Sequence, residues 1–201
     1  MEVVAGFNNT GVICWFNSLL QGLLSSKYFV QSVMTSSASK NPIIDELQKI
    51  IKTISVQQSP NKSYDSSNVL RALLVILRSK DKNRYREFAG GQQSASEGFT
   101  LLLDCIDSND ISMNFMHKYE EKIISINTGE EEPNTSKYGY NNQFMIFNEE
   151  SLIKNGLVEY IKSHEDILTD YKSERSNADL THMYKRTYTL RYLPKIVVIL
   201  L

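Results

Sequence analysis

Residues 11–24 read GVICWFNSLLQGLL, and the rest of the chain is best read outward from them. Cys14, Phe16, Leu19, Leu20, Leu23 and Leu24 recur at helical spacing, with Asn17, Ser18 and Gln21 between them. That stripe predicts a helix over 14–26 with a broad apolar face, and Ser25-Ser26 loosen its end. A cysteine therefore opens a helix, just behind the glycine of NNTGVIC. Unpaired N–H groups and the positive end of the helix dipole face such a position. An ordinary cysteine is mostly thiol at neutral pH, whereas nucleophilic catalysis needs the thiolate, which this place favours. Acyl transfer also needs donors for a developing oxyanion, and the carboxamides of Asn8 or Asn9 can supply one. The competing reading is a buried thiol beside Trp15 and Phe16, as most free cysteines are. The residues alone leave both open.

The 201 residues suffice for one domain burying about 70% of its unfolded surface, or for two small lobes. A net charge of -1 gives no basic excess for nucleic acid, and no block of like charge suggests an interaction tail. No apolar run approaches the ~18 residues of a membrane span, and MEVVAGFNNTG lacks the basic region of a signal peptide. The expected setting is intracellular and reducing, cytoplasm or nucleus, with Cys14 and Cys105 as free thiols. His117, His164 and His182 lack the H-E-x-x-H spacing of a protease zinc site.

Asn41-Pro42 caps and starts a second helix, with Ile43, Leu47, Ile50 and Ile54 on one face. VQQSPNKSYDSSN (56–68) is a loop, and NVLRALLVILRS (68–79) a third helix, apolar almost all round and so expected to be buried. KDKNRYREFAGGQQ (80–93) reads as a polar loop. A fourth helix, SASEGFTLLLDCID (94–107), opens on a Ser94/Glu97 capping box and carries Phe99, Leu102, Leu103 and Ile106 as its stripe. Beyond about 118, EKIISIN and NQFMIFN read as strands, with the polar TGEEEPNTSKYGYNN between them as a hairpin tip or loop. SLIKNGLVEYIKSHEDIL (151–168) reads as short helical turns broken at Asn155-Gly156, RTYTLRYL as strand, and Pro194 sets off KIVVILL. Helices first and strands after make an α+β chain. The boundary is expected near 110, with 1–110 helical and 111–201 β-rich.

GFNNTGVICWFNSLLQGLL resembles the Cys box of the ubiquitin-specific proteases, a papain-like family, whose form is G-L-x-N-x-G-x-T-C-Y-x-N-S-x-L-Q. Gly6, Asn9, Gly11, Cys14, Asn17, Ser18, Leu20 and Gln21 fall on its positions. Phe7 and Trp15 are apolar or aromatic replacements, and Ile13 stands where threonine is usual. QQSASEGFTLLLDCID is similar to the family's Gln-rich box, Q-Q-D-A-x-E-F-L-x-x-L-L-D, through Gln92, Gln93, Ala95, Glu97, Leu102, Leu103 and Asp104. Ser94 replaces Asp there, and Gly98-Phe99 replace Phe-Leu. LVEYIKSHEDIL and KRTYTLRYLPKIVVILL resemble the family's acidic segment and the strands around its L-P-x-x-L motif.

The resemblance implies a cysteine deubiquitinase that hydrolyses isopeptide bonds at the ubiquitin C-terminus. It implies a helical thumb, a β palm and β fingers. Cys14 is then the nucleophile and Asn9 the oxyanion donor, while Gln92, Gln93 and Glu97 bind substrate. Ubiquitin or a ubiquitinated protein is the partner, with no nucleic acid or membrane involved, and no cofactor is called for. No zinc is expected, because Ser173 and Ser176 of YKSERS stand where family members often place thiolate ligands. The acidic GEEEP (129–133) reads as a solvated tip. The family's catalytic His lies in a Gly-His-Tyr motif, and no histidine here has those flanks. All three are expected to be surface or half-buried, with His164 loosely paired to Glu165 or Asp166. The chain is therefore expected to be a fragment lacking the last part of the palm, since an apolar KIVVILL terminus leaves an unpaired edge. The alternatives are an inactive ubiquitin-binding pseudo-protease, or a palm completed by a partner chain.

Overall fold

The computed structural model of the protein describes residues 6–9, 11–37, 41–56, 63–132, 137–145, 149–168 and 183–200. The chain divides into two compact units, Met1–Asn114 and Phe115–Leu201.

Among its described residues the first unit is helical apart from connecting segments and a short parallel pair, β1 (Gly6–Phe7) with β2 (Ser63–Tyr64). Its helices are α1 (Cys14–Ser25), α2 (Lys27–Thr35), α3 (Pro42–Val56), α4 (Ser67–Lys80), α5 (Lys82–Ala89), α6 (Ala95–Ile106) and α7 (Asn109–Ser112). Most of the α1 stripe is buried, with Phe16 and Leu20 fully enclosed, while Leu19 is half-buried and Cys14, at the helix start, is exposed. Phe16 and Leu20 share a core with Phe29 and Val33 of α2, Ile43 and Leu47 of α3, Leu73 of α4, and Leu101 and Leu102 of α6. Each such side chain contributes about 1.5–3 kcal/mol through burial. Ser26 interrupts the helix as expected, in an extended conformation, but the chain turns directly into α2, which the spacing does not foretell.

Asn41 does more than cap α3. Its Oδ1 accepts from Ile43 N at 2.8 Å, and its Nδ2 donates to the carbonyls of Cys105 and Ile106 at 2.8 and 2.9 Å. One carboxamide thus satisfies the start of α3 and the end of α6. Two expectations for this unit are corrected. α4 is not enclosed all round: Val69, Ala72, Leu73 and Leu77 face the core, while Val75 is 62% exposed. Residues 82–89 are helix rather than loop, because Asp81 Oδ1 accepts from Asn83 N and Arg84 N, and Phe88 anchors the turn by burial. At α6, Ser94 Oγ accepts from Ser96 N at 3.2 Å, one residue short of the amide that a capping box uses.

The second unit carries β3 (His117–Ser125), β4 (Lys137–Asn141), β5 (Phe144–Met145), α8 (Glu149–Lys162), β6 (Ser163–Leu168), β7 (Tyr184–Tyr192) and β8 (Ile199–Leu200). An antiparallel sheet runs in the order β4-β3-β7-β6, with a register shift between Lys118 and Tyr119, and β5 pairs in parallel with β8. The α+β class read from the sequence is therefore correct. β4 lies inside what reads as a loop, and it is held by pairing His117↔Asn141 through Glu121↔Lys137. The break in α8 falls at Gly156, whose φ of 76° a side chain rarely adopts. Residues 163–168 are strand rather than helical turns, because β7 supplies the ladder and Lys185 Nζ meets Glu165 Oε1 at 2.8 Å.

Two further readings change. His117 and His164 are buried, not surface residues, at 1% and 9% exposure. They belong to a run of rings across β3, β7, β6 and α8. His117 lies against Tyr119, Tyr119 meets Tyr188 edge-on, and His164 stacks between Tyr188 and Tyr160 at 4.6 and 4.5 Å. His164 Nδ1 lies 3.1 Å from the Tyr160 carbonyl and the ring also feels the Asp166 carboxylate, while Glu165 pairs with Lys185. GEEEP is likewise not wholly solvated. Glu131 pairs with Lys122 at 2.9 Å and Glu132 is buried.

Candidate active site

Cys14 is the first residue of α1 and is exposed. Ile13 at the N-cap has no side-chain oxygen to offer the first-turn amides. The helix dipole is therefore met there by the thiol and solvent. Gly11, at φ 138°, turns the chain into this start. Cys105, in contrast, is buried in α6, where loss of hydration pushes its thiol pKa upward.

Upstream, residues 8–9 run on from β1, and Asn9 is exposed. Asn8 is pinned at three points. Its N donates to Tyr64 O at 2.8 Å, its Oδ1 accepts from Ser63 Oγ at 2.5 Å, and its carbonyl accepts from Asn17 Nδ2 at 3.0 Å. Asn17 is buried one turn beyond Cys14, and its Oδ1 accepts from the fully buried Ser66 Oγ at 2.5 Å.

Trp15 joins the two motif regions. Its ring meets Phe16 at 5.4 Å and Phe88 of α5 at 5.9 Å, both edge-on, and it lies over Gly98 of α6. The start of α1, the end of α5 and the start of α6 thus converge on one indole. Gln92 and Gln93 occupy the link between α5 and α6, and Glu97 the first turn of α6. Gln92 and Glu97 are exposed, while Gln93 is half-buried and donates from Nε2 to Glu87 O at 2.6 Å. Trp15 thus packs the start of α1, which carries Cys14, against Phe88 of α5 and Gly98 of α6, the two helices that Gln92 and Gln93 link. Trp15 and Gly98, separate departures from the motifs in sequence, are complementary in space. The sequence reading missed this, as it missed Asn17 with Ser66.

His117 and His164 are held in the ring column, and burial pushes the pKa of His117 down to about 4 against a partly opposing hydrogen bond with the Phe115 backbone. Burial also lowers His164. His182, Ser173 and Ser176 lie outside the described residues. Among the described residues no group of three or more His, Cys, Asp or Glu side chains gathers to hold a metal. No helix among them is long and apolar enough to cross a membrane.

A family model described as ubiquitin carboxyl-terminal hydrolase matches residues 5–201. The chain belongs to the ubiquitin carboxyl-terminal hydrolase family. The ubiquitin-specific protease resemblance read from the Cys and Gln boxes is borne out. The fold of the chain is shared with solved structures of the SAGA DUB module of Ubp8, Sgf11, Sus1 and Sgf73. The module bound to monoubiquitin matches at 17% identity and a TM-score of 0.67, and the one bound to ubiquitin aldehyde at 19% and 0.65. A yeast module with an Sgf73 mutant matches at 14% and 0.64. Each alignment covers 98% of this chain and 47% of the other, so the chain spans about half the length of these relatives. Among curated proteins none matches this sequence.

Proposed function

We propose that the chain carries the nucleophile half of a thiol-dependent deubiquitinase. The observation that supports this reading best is an exposed Cys14 at the start of α1, inside a matched Cys box. Cys14 attacks the carbonyl of an isopeptide bond at the ubiquitin C-terminus, and Asn9 donates its amide to the oxygen as charge develops there. Gln92 and Gln93 in the α5–α6 link, and Glu97 in the first turn of α6, receive the extended ubiquitin tail. The segment 1–110 acts as thumb and 111–201 as fingers and part of the palm, in a reducing compartment that keeps both thiols free. The reaction calls for no cofactor.

A thiol nucleophile of this kind needs a base. His117 and His164 are unsuited to it, being enclosed and held in the ring column. His182 lies outside the described residues and lacks the family's Gly-His-Tyr flanks, and the 201 residues alone are expected to turn over little or no substrate. The same burial favours a second reading, a ubiquitin-binding pseudo-protease that has lost the chemistry.

The test is incubation with ubiquitin bearing a C-terminal electrophile, read by intact mass. One adduct, absent in Cys14→Ala, supports the nucleophile. Ubiquitin binding without any adduct, unchanged by Cys14→Ala, selects the second reading. Neither binding nor adduct refutes both.

A further inference from the structure

We propose that Asn17 and Ser66 form a buried polar clamp that positions the Asn9 amide relative to Cys14. The proposal rests on the reading of Cys14 as nucleophile and Asn9 as oxyanion donor. Asn17 and Ser66 are positioning residues, acting through the Asn8–Asn9 peptide.

Asn17 lies on the buried face of α1, three residues after Cys14, at 8% exposure. An apolar side chain would satisfy that face at least as well for packing alone. A carboxamide here is tolerated only with its donors and acceptor matched. Its Nδ2 is spent on the carbonyl of Asn8, the acceptor end of the peptide that leads into Asn9. That peptide is planar, so fixing its oxygen also fixes where the Asn9 backbone starts. With Asn8 N and Oδ1 already held by Tyr64 and Ser63, the exposed Asn9 side chain hangs from a fully tethered neighbour.

Ser66 determines which way the Asn17 amide faces. It is the N-cap residue of α4, where a serine ordinarily accepts from a first-turn amide. It makes no such side-chain cap bond. Its hydroxyl donates instead to Asn17 Oδ1, and Asp65 Oδ1 accepts from Ser67 N in its place. An oxygen pinned to Ser66 leaves the Asn17 NH2 group aimed at Asn8. Without the hydroxyl the amide loses that orienting bond, and residues 8–9 lose one of their three tethers. The clamp thus joins α1, the end of β1 and the start of α4 within one unit.

Ubiquitin aldehyde separates positioning from binding. Addition of the Cys14 thiol forms an S–C bond, moves the carbonyl π pair onto oxygen, and returns the thiol proton to that oxygen as a hemithioacetal. Asn9 meets that oxygen in the adduct, whereas unmodified ubiquitin ends in a carboxylate and forms no such adduct. The readout is the ratio of affinities for ubiquitin aldehyde and ubiquitin, measured on the full 201-residue chain. Ser66→Ala is expected to lower the ratio about tenfold or more, as for a misplaced oxyanion donor, while ubiquitin affinity stays within about twofold. Asn9→Ala lowers the ratio at least as far, and Ser66→Ala added to it lowers it no further, since the serine acts through Asn9. Asn17→Asp keeps the volume and the acceptor for Ser66 but removes the donor to Asn8, and it lowers the ratio as well. It serves as the primary variant if Ser66→Ala fails to fold. An unchanged ratio in whichever folded variant is read, or a Ser66 effect additive with Asn9→Ala, overturns the clamp. No preference for the aldehyde in the unaltered chain overturns the nucleophile reading beneath it, which is a separate result.

Discussion

Gly98→Ala tests the joint between the two motif regions. A Cβ at position 98 would lie 2.4 Å from Trp15 Cζ3 and 2.9 Å from Cε3, against an optimum of about 3.5–4.0 Å between carbons. The indole has little room to retreat. It is 6% exposed and flanked edge-on by Phe16 and Phe88. Alanine in place of glycine within a helix is worth about 1 kcal/mol in propensity, and overpacking a closed core costs about 1–3 kcal/mol. The clash exceeds 1 Å and involves a rigid ring, so the upper part of that range applies and the net loss is roughly 1–2 kcal/mol. For a chain of this size that lowers the melting temperature by about 2–8 °C. Trp15 is the only tryptophan, so its fluorescence follows the same displacement. Trp15→Phe opens space on its own, and the double variant should be more stable than the sum of the single effects by about 1 kcal/mol or more. Stabilisation by Gly98→Ala, with unchanged Trp15 emission, would show that the indole does not occupy this space and refute the argument.

Three other perturbations follow from the same coordinates. Burial holds the His117 pKa at about 4, below the 6.5 of the unfolded chain. Between those values the unfolded state binds the extra proton, so this contribution is complete above pH 6.5 and fades as pH falls toward 4. Urea unfolding at pH 5 should give a stability lower than at pH 7 by about 2 kcal/mol on account of this residue, and His117→Gln should remove about that much of the observed difference. Asn41→Ala removes the α3 cap and two bonds to the end of α6. A loss of about 2–3 kcal/mol is expected, measured by chemical denaturation, and a change within experimental error would count against the double role. Val75→Glu, on the open side of α4, should shift stability by less than about 0.5 kcal/mol. A loss of several kcal/mol would show that face to be covered.

The parts of the fold legible in the sequence are those whose signal is local. α1, α3, α4 and α6 announce themselves because apolar residues recur at helical spacing from Cys14, Asn41, Asn68 and Ser94 onward. α5 does not, since one buried side chain, Phe88, and one capping carboxylate hold an otherwise polar segment. β4 and β6 are invisible for another reason. KYGYN and SHEDIL carry little apolar alternation of their own, and each becomes strand by pairing with β3 or β7. The same limit applies to the site. Cys14, Asn9, Gln92, Gln93 and Glu97 are the candidates that the family resemblance implies, position by position. The pairs Asn17–Ser66 and Trp15–Gly98 are not among them, because each joins residues that only the packing of α1 on its neighbours brings together. Within the motifs the visible hint was a swap of sizes, a larger ring at 15 and no side chain at 98.

The unequal shelter of the two sulfurs gives this molecule a built-in clock. In the native chain a disulfide reagent such as dithionitrobenzoate meets Cys14 at once, while Cys105 sits behind the α3–α6 joint at 2% exposure. The colour released should therefore rise in two steps, one equivalent promptly and a second at the pace with which α6 comes loose. That second pace measures the opening of the helical unit at one known position, without isotopes or added dyes.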